Sequence, residues 1–140
     1  MVMKIHVDIV SAESEIYSGQ AELVVAPAEM GEVGIAARHA PFLTRLKPGE
    51  VRVKVSANEV HPFYVSGGML EVQPDQVTVL ADTAIRAKDI DEAAALEAKR
   101  NAEDLLADRS GKIDYALAQA QLAEAVTQLR TLEKYRKGRA

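Results

Sequence analysis

Apolar and polar residues alternate in short runs along residues 1–85, and the period then changes. Ile5, Val7 and Ile9 alternate with His6, Asp8 and Val10. Val51, Val53 and Val55 alternate with Arg52 and Lys54, Leu70 and Val72 flank Glu71, and Val77 and Val79 flank Thr78. A period of two puts each apolar set on one face of a half-buried strand. Turn-forming residues separate the runs: Ser18-Gly19, Gly31 to Gly34, Lys47-Pro48-Gly49, Ala57-Asn58-Glu59, Gly67-Gly68 and Gln73-Pro74-Asp75. Short strands at this spacing predict a β-sandwich or flattened barrel, because one open layer would leave its apolar face in water.

Beyond residue 85 the pattern is helical. The five prolines all precede position 75, whereas residues 90–125 hold eleven alanines and one glycine. Asp89, with Glu92 three residues on, predicts the N-cap of a helix that runs to about Asp108. Arg109-Ser110-Gly111-Lys112 then breaks it. Asp114 caps a second helix, predicted to end near Lys137 with Gly138 beyond. Its seam reads Tyr115, Ala118, Leu122, Ala125, Leu129 and Leu132, a 3-4 spacing, facing Ile90, Ala94, Ala98, Ala102 and Leu105 of the first helix. Alanine seams allow close approach but bury little area, so the pair is held weakly and can detach. The prediction is therefore α+β in segregated modules: a β-sandwich over residues 1–85, then an antiparallel two-helix hairpin over residues 86–140.

Composition narrows the chemistry. The chain has 140 residues, 48% apolar and 27% charged, and no cysteine. Disulfides and thiol chemistry are excluded, and wholesale disorder is excluded too. No apolar run approaches the ~18 residues of a membrane span, and the N-terminus lacks a signal-peptide pattern, so the sequence reads as cytosolic, or docked to something from the cytosolic side. Net charge is −4, against general nucleic-acid binding. The last stretch departs from this balance: Arg130, Lys134, Arg136, Lys137 and Arg139 face Glu133 alone. His6, His39 and His61 have no metal-ligand spacing, Ser66 lies in Val65-Ser66-Gly67-Gly68 rather than a nucleophile elbow, and there is no phosphate-binding loop. No catalytic constellation, cofactor site or metal site is expected.

Two longer stretches carry a resemblance. One is Gly31-Glu32-Val33-Gly34-Ile35, then His39-Ala40-Pro41-Phe42-Leu43-Thr44 and Leu46-Lys47-Pro48-Gly49. The other runs from Tyr64-Val65-Ser66-Gly67-Gly68-Met69-Leu70-Glu71-Val72-Gln73-Pro74 through Val77-Thr78-Val79-Leu80-Ala81-Asp82-Thr83-Ala84. With His6 to Glu13, Ala98-Lys99-Arg100 and Asp114-Tyr115-Ala116, they resemble the epsilon subunit of bacterial F-type ATP synthases across essentially the whole chain. The resemblance implies a sandwich of about ten strands followed by a helix-turn-helix. It also implies a non-catalytic rotor subunit of the central stalk, bound to the gamma subunit and standing on the c-ring. Such a subunit couples proton flow to ATP synthesis, and its helices swing toward the catalytic beta and alpha subunits to inhibit hydrolysis. It would lie peripherally on the cytoplasmic face of the bacterial inner membrane, touching membrane only through the complex.

Residue roles follow from the same resemblance. Glu32 matches the position that faces the c-ring, and Ser11, His39 and Thr44 match positions at the gamma interface. Arg130, Lys134, Arg136 and Lys137 form the inhibitory basic end, which meets an acidic loop of the beta subunit. Cations are also favourable at any helix C-terminus. Members that bind ATP carry I/L-D-x-x-R-A. Here the stretch is Ile90-Asp91-Glu92-Ala93-Ala94-Ala95, and Ala94 stands where the arginine would supply charge and donors. ATP binding to the isolated subunit is therefore expected to be weak or absent. A second reading is a free-standing β-sandwich binding module with a helical dimerisation hairpin. A third is a hydrolase built on acidic residues, and it lacks a constellation.

Overall fold

The computed structural model describes residues 3–108 and 114–139. Ten strands come first: β1 (Ile5–Ser11), β2 (Glu15–Ala21), β3 (Leu23–Ala28), β4 (Gly31–Ile35), β5 (Phe42–Leu46), β6 (Gly49–Ser56), β7 (Glu59–Val65), β8 (Gly68–Val72), β9 (Gln76–Ala81) and β10 (Ala84–Arg86). A 3₁₀ turn (Ala87–Asp89) leads to two helices, α1 (Glu92–Ala107) and α2 (Tyr115–Arg139). The segregated β-sandwich and helical hairpin are as predicted. Among the described residues, no helix is long and apolar enough to cross a membrane.

Alternation builds the core. Ile5, Val7, Ile9, Val51, Val53, Leu70, Val72, Val77 and Val79 are all buried, and their polar neighbours point outward. Val55 is only partly buried, because the β6–β7 register slips between Lys54 and Ser56. The strands run in the order β10-β7-β6-β3-β5-β8-β9-β1-β2, with β4 paired to β3 at the margin. β3 and β5 share a single residue pair, Ala28 with Leu46, and the sheet folds over there. The fold brings β2 against β6 and β10, closing one hydrophobic core between two layers.

Two expected turns are strand instead. Ser18-Gly19 lies inside β2, with Gly19 opposite Val7. A Cβ there would come within 3.0 Å of the Tyr17 hydroxyl, so glycine clears room for that ring. Gly31 to Gly34 forms β4, and the turn sits before it, at Glu29-Met30. Ile35 is buried and Val33 packs against the core, so the segment carries its own inward face.

The hairpin also departs in detail. The cap of α1 is Asp91, whose carboxylate accepts from the Ala94 N–H at 3.1 Å; Asp89 closes the 3₁₀ turn instead. Asp114 caps α2 as expected, accepting from the Leu117 N–H at 3.1 Å. The buried seam is Ala95 and Ala102 on α1 against Ala118, Ala125 and Leu132 on α2, with Leu122 and Leu129 half-buried. Ala94, Ala98 and Leu105 are exposed, and so is Tyr115, whose hydroxyl donates to the Asp108 carbonyl across the hairpin's end. α2 continues through Arg139, past the end expected at Lys137, and the predicted break over residues 109–112 lies outside the described residues.

Candidate functional site

The joint between sandwich and hairpin is where side chains of the two modules meet. Its apolar part is small. Tyr64 of β7, Ile90 and Leu132 form a cluster of their own, edged by Ile85 and Tyr135. Burial pushes the Tyr64 phenol well above the ordinary tyrosine range, and the Glu124 carboxylate adds to the shift. An ionic contact lies beside this cluster. Glu50 opens β6 beneath α2, with its side chain 9% exposed. Its Oε1 lies 3.8 Å from the Lys134 Nζ and 3.5 Å from the Arg52 Nη1, while its Oε2 is buried without a hydrogen-bond partner. A buried carboxylate left incompletely satisfied is costly, so this contact is sensitive to whatever changes around it.

The basic end divides its partners between modules. Lys134 reaches the sandwich through Glu50. Arg136 donates to Glu92 at 2.7 Å, tying the end of α2 to the start of α1 and holding Glu92 below the ordinary carboxylate range. Lys137 pairs with Glu133 on its own helix at 3.0 Å. Arg130 is exposed and shares a groove with Glu32, Glu50, Thr127 and Lys134. Of the ion pairs that Lys134, Arg136 and Lys137 make among the described residues, the one with Glu50 crosses to the sandwich.

Glu32 is exposed on β4, and both Arg52 terminal nitrogens donate to it, at 3.4 and 3.3 Å. The three expected gamma-facing residues do not form one pocket. His39 lies in the β4–β5 loop, its Nδ1 donating to the Ala40 carbonyl at 2.8 Å and its ring against Phe42. This loop also bonds the β8–β9 turn, through the Arg38 N–H and the Pro74 carbonyl. Ser11 sits at the far end, opposite Ala81 of β9. At ~3.3 Å per residue, the two are roughly a full strand length apart. Thr44 pairs with the buried Leu70, on the core-facing register. What sequence reasoning missed lies between them: Leu43 and Leu80 point outward, 63% and 45% exposed, with Met69 and Val10 half-buried alongside. Their outward register was visible in the alternation, but not that the strands carrying them are neighbours.

The expected ATP motif falls on a cleft of about 570 Å³ between α1, α2 and Ile85. Two of its residues have structural work: Ile90 packs under Tyr64, and Asp91 caps α1. Ala94 and Ala98 line the cleft with Asp89, Asp91 and Glu124, and no basic side chain is among the lining residues. Carboxylates without cations oppose a triphosphate. Titration calorimetry on the full chain is expected to give no micromolar ATP affinity, and a micromolar constant would overturn this expectation.

One constellation outside the joint looks catalytic by residue type. Ser18, His6 and Asp8 lie in mutual contact on neighbouring strands, with Ser18 donating to Asp8 at 2.7 Å. Both Ser18 Oγ and Asp8 Oδ1 approach the same ring nitrogen, Nε2, at 3.3 and 3.1 Å. A relay needs them on opposite nitrogens, so this is a polar clasp. Burial alone would raise the Asp8 carboxyl, but Ser18, His6 and Gln76 together hold it below its ordinary value. Among the described residues, no three His, Asp or Glu side chains gather as a metal site.

Comparison with known proteins matches both halves of this arrangement. Residues 4–87 match the family described as the ATP synthase delta/epsilon chain, beta-sandwich domain, and residues 88–133 its long alpha-helix domain. The ATP synthase epsilon chain 1 of Methylococcus capsulatus is 76% identical over 140 residues, covering 100% of both chains. The ATP synthase epsilon chain of Nitrosococcus oceani is 64% identical over 137 residues, covering 98% of each. The fold recurs in the OSCP/F1/c-ring structure of the Euglena gracilis mitochondrial ATP synthase, with a TM-score of 0.80 at 18% identity over 92% of this chain and 81% of that one. It recurs in the central stalk/c-ring structure from Tetrahymena thermophila, with a TM-score of 0.59 at 14% identity over 93% of this chain and 97% of that one. With both domains matched in order and relatives this similar over their full length, the chain belongs to the ATP synthase delta/epsilon family, as a non-catalytic epsilon subunit of the F-type enzyme.

Proposed function

We infer that this chain is a rotor subunit that couples proton flow to ATP synthesis and restrains ATP hydrolysis with its C-terminal helices. The observation that carries this reading is the joint: among the described residues, a small apolar cluster of Tyr64, Ile90 and Leu132, edged by Ile85 and Tyr135, and the Lys134–Glu50 contact lie between the hairpin and the sandwich. Detachment breaks little, and the alanine seam and the Arg136–Glu92 pair travel with the hairpin. Released, the hairpin presents Arg130, Lys134 and Lys137 toward the catalytic beta and alpha subunits, where an acidic surface would favour the raised state. A partner shifts the equilibrium only through such differential affinity.

The stationary contacts belong to the sandwich. The outward row of Leu43 and Leu80, with Ser11 and His39 toward its two ends, is the face offered to gamma; Thr44, on the inward register of the same strand, supports that face from behind. Glu32 on its marginal strand is offered to basic loops of the c-ring, a contact weakened by salt. The assemblies from Euglena and Tetrahymena that share the fold contain a c-ring, which supports this placement. The subunit would sit on the cytoplasmic face of the bacterial inner membrane, peripheral, with no membrane contact of its own. No cofactor is assigned to it.

Co-purification tests the assignment. Stable capture of gamma by the full chain is expected, whereas a ligand-bound homodimer that ignores gamma would favour a free-standing binding module. A second experiment isolates the basic end. Arg130→Ala with Lys137→Ala removes two cations that do not hold the sandwich in the docked form, and hydrolysis by the assembled complex is expected to rise. Unchanged hydrolysis would reduce these cations to stabilisers of the helix terminus.

A further inference from the structure

We propose that Arg52 couples the Glu32 contact to the position of the hairpin, so that a cationic partner on Glu32 holds the hairpin down. The proposal rests on the reading that the hairpin detaches and that Glu32 meets a basic partner. One guanidinium serves two carboxylates of different standing. Its terminal nitrogens donate to the exposed Glu32 at 3.4 and 3.3 Å, and Nη1 also reaches Glu50 at 3.5 Å. Glu32 is 56% exposed and water can satisfy it. Glu50 is 9% exposed, with Lys134 of α2 standing over it, and one of its oxygens has no partner.

The demand on Arg52 therefore depends on the hairpin. With the hairpin docked, Glu50 is desolvated and needs every cation in reach, and Lys134 stands off at 3.8 Å. With the hairpin released, water reaches Glu50 and Arg52 can turn wholly to Glu32. A basic group that occupies Glu32 frees Arg52 for Glu50 and so favours docking. By linkage, docking draws Arg52 away and leaves Glu32 more open to that basic group. Seating on a cationic surface and stowing the hairpin reinforce each other.

Plain charge attraction predicts the opposite sign. Glu32 shares a groove with Arg130 and Lys134 of α2. As a bare anion it would help hold that basic surface, and neutralising it would loosen the hairpin. The sign of one substitution separates the two accounts.

The chain has no cysteine, so Ser14→Cys and Ala123→Cys can carry a fluorophore pair that reports hairpin release in the full chain. Lys134→Ala is used as background because it populates the released form. On it, Glu32→Gln is expected to raise the docked-to-released ratio at least about threefold, the scale of coupling between residues in one ionic network. With Arg52→Gln added, the same Glu32→Gln change is expected to have no effect. A fall in the docked fraction, or no change on the Lys134→Ala background, overturns the coupling while leaving a mobile hairpin intact. A hairpin that stays docked even with Lys134→Ala and Arg52→Gln together overturns the release itself, and the coupling with it.

Discussion

Ending the chain after Lys88 is expected to raise ATP hydrolysis by the assembled complex about fivefold or more, with assembly retained. The size follows from the population removed. If the raised, inhibited state holds about nine in ten complexes, deleting the hairpin releases about tenfold in rate, and a coupling of ordinary strength gives about fivefold. The retention follows from where the core lies. Every residue of the main core cluster, from Ile5 to Ala84, precedes the cut, and β10 keeps its pairing with β7 through Ala84, Ile85 and Arg86. The loss falls on Tyr64, Ile85 and Glu50, which α1 and α2 cover. The truncated sandwich should therefore melt cooperatively and still capture gamma. Hydrolysis equal to that of the full-length complex, with the truncated chain shown to be bound, ends the inhibitory reading and leaves the coupling role standing.

The sandwich was legible because two-residue alternation is a strong constraint. A strand slipped by one residue would turn Ile5, Val7 and Ile9 to water, so the pattern fixes which face is inward. The hairpin was legible as helix, and α2 also in phase, but the first turns of α1 were not. Alanines at 93, 94 and 95 offer three equally apolar faces, and the sequence reading chose Ala94 and Ala98 where the fold buries Ala95, although it placed Ile90 and Ala102 correctly. What sets the phase is tertiary. Ile90 must reach Tyr64, and the 3₁₀ turn delivers it by closing the Ile90 N–H on the Ala87 carbonyl. That places Asp91, not Asp89, at the helix start, although both are good caps and Asp89 has the acid three residues on.

The joint was the least legible part. Glu50 and Arg52 read as an ordinary solvent face of β6, since Val51 and Val53 already fill the inward positions. Nothing local says that Lys134, far along the chain on α2, stands over one of them and that the other lies between two acids. Lys134 and Arg136 likewise read as a uniform basic end, yet one binds the sandwich and the other binds α1. Charge runs predict exposure, whereas the partner of each charge is decided by topology.

The largest effect on stability is expected at Gly68, where substitution by alanine should unfold the sandwich or lower its melting temperature by tens of degrees. Gly68 opens β8 between Leu46 of β5 and Ala81 of β9, at φ +135. A Cβ there would stand 2.1 Å from the Leu80 carbonyl oxygen and 2.9 Å from the Ala81 Cα. Both are backbone atoms of a paired strand, so no rotamer change relieves them, and β8 must separate from β9. Gly31 supplies the control. Its φ is +137 and a Cβ there meets nothing within 4 Å, so Gly31→Ala isolates the conformational penalty, about 1–3 kcal/mol. Gly68→Ala adds the collision and should exceed about 4 kcal/mol in urea or thermal unfolding followed by far-UV circular dichroism. For a domain of this size each 1 kcal/mol corresponds to about 4–8 °C. The ordering matters more than either value: because β8 joins the two halves of the sheet through β5 and β9, its first residue carries the closure of the sandwich, whereas Gly31 sits on a marginal strand. Equal losses at the two positions would mean that the strands yield to the added methyl group, and that β8 and β9 are not rigidly paired at the first residue of β8.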